Sequence, residues 1–156
     1  MQEIKNQLIE HLKGGSAFMP VEELLKFISS EALFKRPKDL PYSFYEIFYH
    51  MRFAQKDILD YTKDEDYTSP QWPQEYWPKS NTLDSLEEWD SLKSRFFEEQ
   101  QELIDFLMDP TNDLLKPVNS ETKNTLLREV LLVIEHNAYH TGQLLIVLRS
   151  LGLYPG

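Results

Sequence analysis

Residues 122–151 contain no proline and a single glycine, and their apolar side chains return at helical spacing. The spacing predicts one helix from about Thr122 to Leu151, stopped by Gly152 and about 45 Å long. A helix of that length buries its apolar stripe only against partners of similar length. The rest of the chain supplies them. Ile4, Leu8, Ile9 and Leu12 put a helix over residues 2–13, ended by Gly14 and Gly15, and a shorter piece, VEELLKFIS, follows Pro20. Phe44, Ile47, Phe48, Met51, Ile58 and Leu59 mark a helix from Ser43 to about Tyr61. A Ser-x-x-Glu signature at 85–88 has the form of a capping box. A fourth long helix opens there or slightly earlier, at Asn81 or Thr82, with Leu86, Trp89, Leu92, Phe96, Leu103, Phe106 and Leu107 on its apolar side and DPTND at 109–113 as its end. No alternating strand pattern interrupts this series. The expectation is an all-α fold, a four-helix bundle with a long C-terminal helix, as one domain over residues 1–156.

Sixteen basic and 26 acidic residues leave a formal charge of −10. That balance disfavours nucleic acid and anionic membrane surfaces as partners. The chain has no cysteine, which removes disulfides, thiolate metal ligands and a cysteine nucleophile. With no secretory leader and no apolar run of membrane-spanning length, a soluble cytoplasmic protein is expected.

The segment EHNAYHTGQ, residues 135–143, places two of the chain's four histidines on one stripe of the final helix. Taking His136 as zero, His140 lies about 40° away, Glu129 about 20° and Gln143 about −20°. An apolar stripe with a polar patch at its middle needs partners for that patch. A divalent cation would satisfy both imidazoles, since histidines at i and i+4 reach one ion. His50, on the core-facing side of the helix after Ser43, is the third candidate. Three neutral imidazoles with an open position suit a catalytic site of the zinc type. Each histidine also has a plain reading as a hydrogen-bonded core residue, and His11, at the end of the first helix, is read as structural. Other metal signatures are missing. Residue 137 is Asn, so there is no His-Glu-x-x-His, and Glu46 and His50 are four apart rather than three.

Around the three histidines, Glu46, Asp57, Glu129, Tyr139 and Gln143 are candidates to orient ligands or handle protons, with Glu46 and Glu129 first in line as acceptors for imidazole N–H groups. The stretch KDEDYTSPQWPQEYWPKSN, residues 63–81, is long for a connection without regular structure. Its Trp72, Tyr76 and Trp77 either roof a substrate pocket or plug the loop onto the bundle. Gly142 sits mid-helix, where glycine costs about 1 kcal/mol against alanine. It lies about 120° from His136. A close helix contact is expected there, within the bundle or across a dimer.

LLREVLLVIEHNAYHTGQLLIVLRSLG resembles the last helix of the DinB-like (DinB/YfiT) superfamily, and PYSFYEIFYHMRFAQKDIL resembles that family's histidine-bearing second helix. DPTNDLLKPVNSETKNTLLRE is similar to its lead-in to the final helix, and WPQEYWP with the Trp89 region to its tryptophan-bearing loop and third helix. The likeness spans nearly the whole chain. It implies a four-helix bundle, commonly a homodimer, holding a divalent metal, zinc or nickel, on three histidines that correspond to His50, His136 and His140. It also implies chemistry on a small-molecule substrate. Characterised relatives include thiol-dependent transferases and isomerases that use bacillithiol, mycothiol or glutathione. A chain without cysteine would take such a thiol as a low-molecular-weight cosubstrate. A metal-dependent hydrolase that activates water, or a non-catalytic metal-binding or ligand-binding bundle, are the alternatives.

Overall fold

The computed structural model describes residues 1–64, 66–118 and 122–154. Its helices are α1 (Gln2–Lys13), α2 (Val21–Leu24), α3 (Phe44–Lys63), α4 (Leu86–Met108) and α5 (Leu126–Ser150), with no strand among the described residues. The four long helices form the bundle. α3 packs most extensively on α5 and then on α4, and α1 closes the remaining side against α5 and α4.

The start of α3 is fixed more firmly than its sequence suggests. Ser43 is fully buried, its hydroxyl accepts from the Glu46 N–H, and the Glu46 carboxylate accepts from the Ser43 N–H at 2.8 Å. These two bonds form a capping box. The one expected at 85–88 does not form. Ser85 flanks α4 without a side-chain cap, and Glu88 accepts from the Asp84 N–H instead. Two other expectations are corrected at helix ends. After Pro20 only Val21–Leu24 is α-helical, because the next turns tighten into i→i+3 bonds such as Phe27 N–H to the Leu24 carbonyl. α5 begins at Leu126 rather than near Thr122. Thr125 caps it by accepting from the Arg128 N–H, and the Asn124 carbonyl is taken by the Val118 N–H at 2.8 Å. Gly152 ends α5 with φ of 71°, a left-handed turn that glycine adopts without strain. Leu86, expected on the apolar side of α4, is 54% exposed.

The core is two apolar clusters stacked along the bundle. One gathers Leu24, Phe44, Phe48, Met51, Trp89, Phe96, Leu144 and Leu148. The other gathers Leu8, Leu12, Leu59, Leu103, Leu107, Leu126, Val130 and Val133. Each such side chain contributes about 1.5–3 kcal/mol on burial. Between the clusters runs a polar layer. On α3 it falls between Met51 and Leu59 and includes Gln55, on α4 it is Glu99, and on α5 it is Asn137, His140 and Thr141. Buried polar groups are tolerated where they are paired. The Arg52 guanidinium donates to Glu99 through Nε at 2.8 Å and through Nη2, Gln55 donates to the Phe96 carbonyl at 2.8 Å, and Asn137 donates to Gln55 at 3.0 Å. Three of the four long helices are thus linked at the level of the site.

Candidate metal centre

His50 of α3 and His140 of α5 are 3% and 7% exposed, and His136 of α5 is half-buried. One ring nitrogen from each lies within 4.8 Å of the others. Nε2 of His50 and Nε2 of His136 are 3.1 Å apart. Tetrahedral zinc–imidazole bonds would place two ligand nitrogens about 3.3 Å apart. The ring centroids are 4.4–5.0 Å apart in all three pairings. His11 is exposed near the end of α1 and takes no part.

The outer nitrogens decide which way the lone pairs face. His50 Nδ1 sits 3.1 Å from the Tyr76 carbonyl oxygen, which can only accept, so Nδ1 carries the proton and Nε2 is left with a lone pair. His140 Nδ1 donates to Gln143 Oε1 at 2.7 Å, and its Nε2 is likewise free. His136 is held less directly. Its Nδ1 and the neighbouring Asn137 Oδ1 are buried without a hydrogen bond, yet the Asn137 side chain is near enough to favour a proton on the ring. Inner nitrogens that converge while two of the outer ones are held as donors form a donor set that fits a divalent cation. A proton can bridge only one pair of them.

The electrostatics favour the ligating form. Burial, and then the neighbouring histidines, push His136 down to about 3. Burial pushes His140 down to about 4 against the raising effect of Gln143, and burial also lowers His50 against the Tyr76 carbonyl. All three rings are therefore neutral at pH 7. Among the described residues no fourth imidazole, thiolate or carboxylate joins the group.

The loop after α3 lies over His50. Trp77 stacks on the His50 ring at 4.2 Å and 5° and also on Tyr42 at 4.2 Å and 9°. Trp72 is 65% exposed, 6.2 Å from His50 and edge-on to Tyr76 at 5.0 Å. Tyr139, 65% exposed, meets His140 edge-on at 4.9 Å. Asp57 accepts from the hydroxyls of Tyr67 and Tyr76, the second at 2.5 Å.

The two carboxylates expected to hold imidazole N–H groups are engaged elsewhere. Glu46 binds Arg36 and caps α3; burial pushes its carboxyl up, but Arg36 and the Ser43 N–H outweigh this and hold it below the usual carboxylate range. Glu129 is 1% exposed and takes both its hydrogen bonds from Arg128. The close contact expected at Gly142 does not occur within the chain. Gly142 is exposed, and a Cβ there would meet nothing within 4 Å. It lines an open cleft of about 280 Å³ with Tyr42, Ile47, Tyr139, Gln143 and Ile146.

The profile of the DinB superfamily matches residues 17–144, a span that contains α3, α4, the three histidines and most of α5. The chain belongs to the DinB superfamily. No curated protein and no solved structure matches it. Membership accords with the helical bundle and with a three-histidine group able to bind metal. Among the described residues no helix is long and apolar enough to cross a membrane.

The sequence reading missed the Tyr76 carbonyl, Tyr42, Tyr67, Gln55 and Asn137. A backbone carbonyl has no sequence signal. Asn137, inside the histidine motif itself, was the one that could have been found, because an amide on a buried stripe demands a partner.

Proposed function

We propose that this member of the DinB superfamily is a metal-dependent enzyme that uses His50, His136 and His140 to hold a divalent ion, zinc or nickel, and activates a low-molecular-weight thiol for transfer to a small electrophilic substrate. The observation that carries the reading is the convergence of the inner imidazole nitrogens, with the protons of His50 and His140 held on the outside by the Tyr76 carbonyl and Gln143. A divalent ion in that position would favour a bound thiol as thiolate, or acidify a bound water, at neutral pH. The chain's own residues contribute three things. The lowered histidine pKa values keep the nitrogens unprotonated. The Trp77–His50 stack fixes the plane of one ring and shields it from water. A group of three ligands, with no fourth among the described residues, leaves room for a guest.

The test is metal-dependent consumption of glutathione, bacillithiol or mycothiol with a panel of model electrophiles. Turnover that disappears on chelation and in His136→Ala supports the transferase. Ester or amide hydrolysis by the metal-loaded protein without thiol would replace it with the hydrolase. A loaded protein inert in both assays would leave a binding bundle.

We also propose a homodimer through the outer face of α5. Leu131, Tyr139, Gly142 and Ile146 fall on one stripe there and all are exposed, and an exposed glycine between large apolar side chains suits a helix crossing with a second copy.

A further inference from the structure

Asp57 touches none of the three histidines, yet it is tied to one of them through a single residue. It lies two helical turns after His50 on α3, about 20° round the axis and about 10 Å along it, so the two share a face. Tyr76 of the following loop is fastened at both ends against that face. Its hydroxyl donates to Asp57 Oδ2 at 2.5 Å, and its backbone carbonyl accepts from His50 Nδ1 at 3.1 Å. Phe53, between the two on α3, meets the Tyr76 ring edge-on at 5.0 Å. The other Asp57 oxygen accepts from Tyr67, at the beginning of the same loop. Burial first, and then the hydrogen bond to Asp57, push Tyr67 up to about 12 and raise Tyr76 as well, so both phenols remain donors across the physiological range.

We infer that Asp57 is a positioning residue for the metal centre: by gripping the Tyr76 hydroxyl it sets the Tyr76 carbonyl against His50 Nδ1 and so fixes the tautomer and orientation of that ligand. This rests on the metal reading above. Tyr67 supplies the internal comparison. It binds the same carboxylate and belongs to the same loop, but its side-chain ties run to Asp57, to Ser69 and to the Tyr61 ring, not to a histidine. If Asp57 only fastened the loop, loss of either hydroxyl would have the same consequence. If Asp57 acts on His50 through Tyr76, only one of them disturbs the metal.

The experiment titrates cobalt(II) into metal-free protein and records both affinity and the visible ligand-field spectrum for the wild type, Tyr76→Phe, Tyr67→Phe and Asp57→Ala. Outer partners of metal-bound histidines are typically worth about 10- to 100-fold in metal affinity. Tyr76→Phe removes one hydroxyl and keeps the ring contacts, so it is expected to fold, to lose cobalt affinity by about tenfold or more, and to shift the spectrum. Tyr67→Phe is expected to stay near the wild type in both. Asp57→Ala should match Tyr76→Phe in spectrum, and Tyr76→Phe should have no further effect on affinity in a His50→Ala background. Wild-type affinity and spectrum in folded Tyr76→Phe, or equal losses in Tyr67→Phe and Tyr76→Phe, would overturn the inference while leaving the metal site standing. A wild type that takes up no cobalt would remove the metal reading and the inference together.

Discussion

Acidification of the metal-free protein should lower its stability through the histidine cluster. In the folded state burial holds His136 at about 3 and His140 at about 4, whereas both titrate near the ordinary imidazole value of 6.5 once unfolded. Below 6.5 the unfolded chain therefore binds protons that the folded one refuses, and stability falls with pH until the folded values are reached. Each fully titrating histidine contributes a slope of about 1.4 kcal/mol per pH unit. Two of them between pH 6.5 and 4.5 remove at most about 4 kcal/mol, and roughly half that after allowing for the partial exposure of His136. His50, lowered in the same direction, adds to the loss. Glu46 moves the other way. Its carboxyl is held below the ordinary glutamate value of 4.5, so its contribution is present above that value and is lost as the pH falls through the lowered folded one. The imidazole contribution is read between pH 6.5 and 4.5, as the difference from a variant that lacks the two rings. Urea unfolding in chelator across that window, for the wild type and for the His136→Asn/His140→Asn double variant, reads the difference directly. The wild type should lose roughly 2 kcal/mol more than the double variant. Parallel profiles would refute the buried, neutral cluster.

Three further outcomes follow from particular contacts. Gln55→Leu strands the Asn137 amide and one contact of the Phe96 carbonyl in the polar layer, and should cost about 2–4 kcal/mol in urea unfolding; a loss under 1 kcal/mol would mean that water repairs the layer. Trp77→Ala removes the stack on His50 and Tyr42, and should lower stability by about 1–3 kcal/mol and weaken zinc binding in competition with a chromophoric chelator; reduced stability with unchanged zinc affinity would make the loop a plug alone. Gly142→Ala meets no atom within 4 Å of its Cβ and should raise the stability of the monomer by about 0.5–1 kcal/mol, while Gly142→Leu should weaken self-association in sedimentation; an assembly indifferent to leucine there would place the interface elsewhere.

The bundle was legible because its information is periodic. Apolar spacing located the four long helices, and the i,i+4 spacing of His136 and His140 with their angular relation to Gln143 put three polar groups on one buried side. Angles around a helix do not say who stands opposite, and that is where the reading failed. Glu46 and Glu129 face inward as expected, but Arg36 and Arg128 reach them first, and neither arginine lies on a predictable register with its partner. The acceptor that His50 uses is a main-chain carbonyl on an irregular loop, positioned by a tyrosine and an aspartate that sequence spacing does not connect. Gly142 was read as a contact because glycine inside a helix demands a reason, but a Cβ there would meet no atom of the described residues within 4 Å. The capping box was expected at Ser85 and found at Ser43, since the same four-residue signature occurs at both places and only at Ser43 does the buried environment force the pairing.

X-ray absorption at the metal edge of protein purified without a histidine tag reads the three-imidazole site itself. The expected result is one divalent ion per chain, with an imidazole shell of three nitrogens at about 2.0–2.1 Å if the ion is zinc, and loss of that shell in His136→Ala. A stoichiometric ion with only oxygen neighbours, or an imidazole shell that survives His136→Ala unchanged, would contradict it.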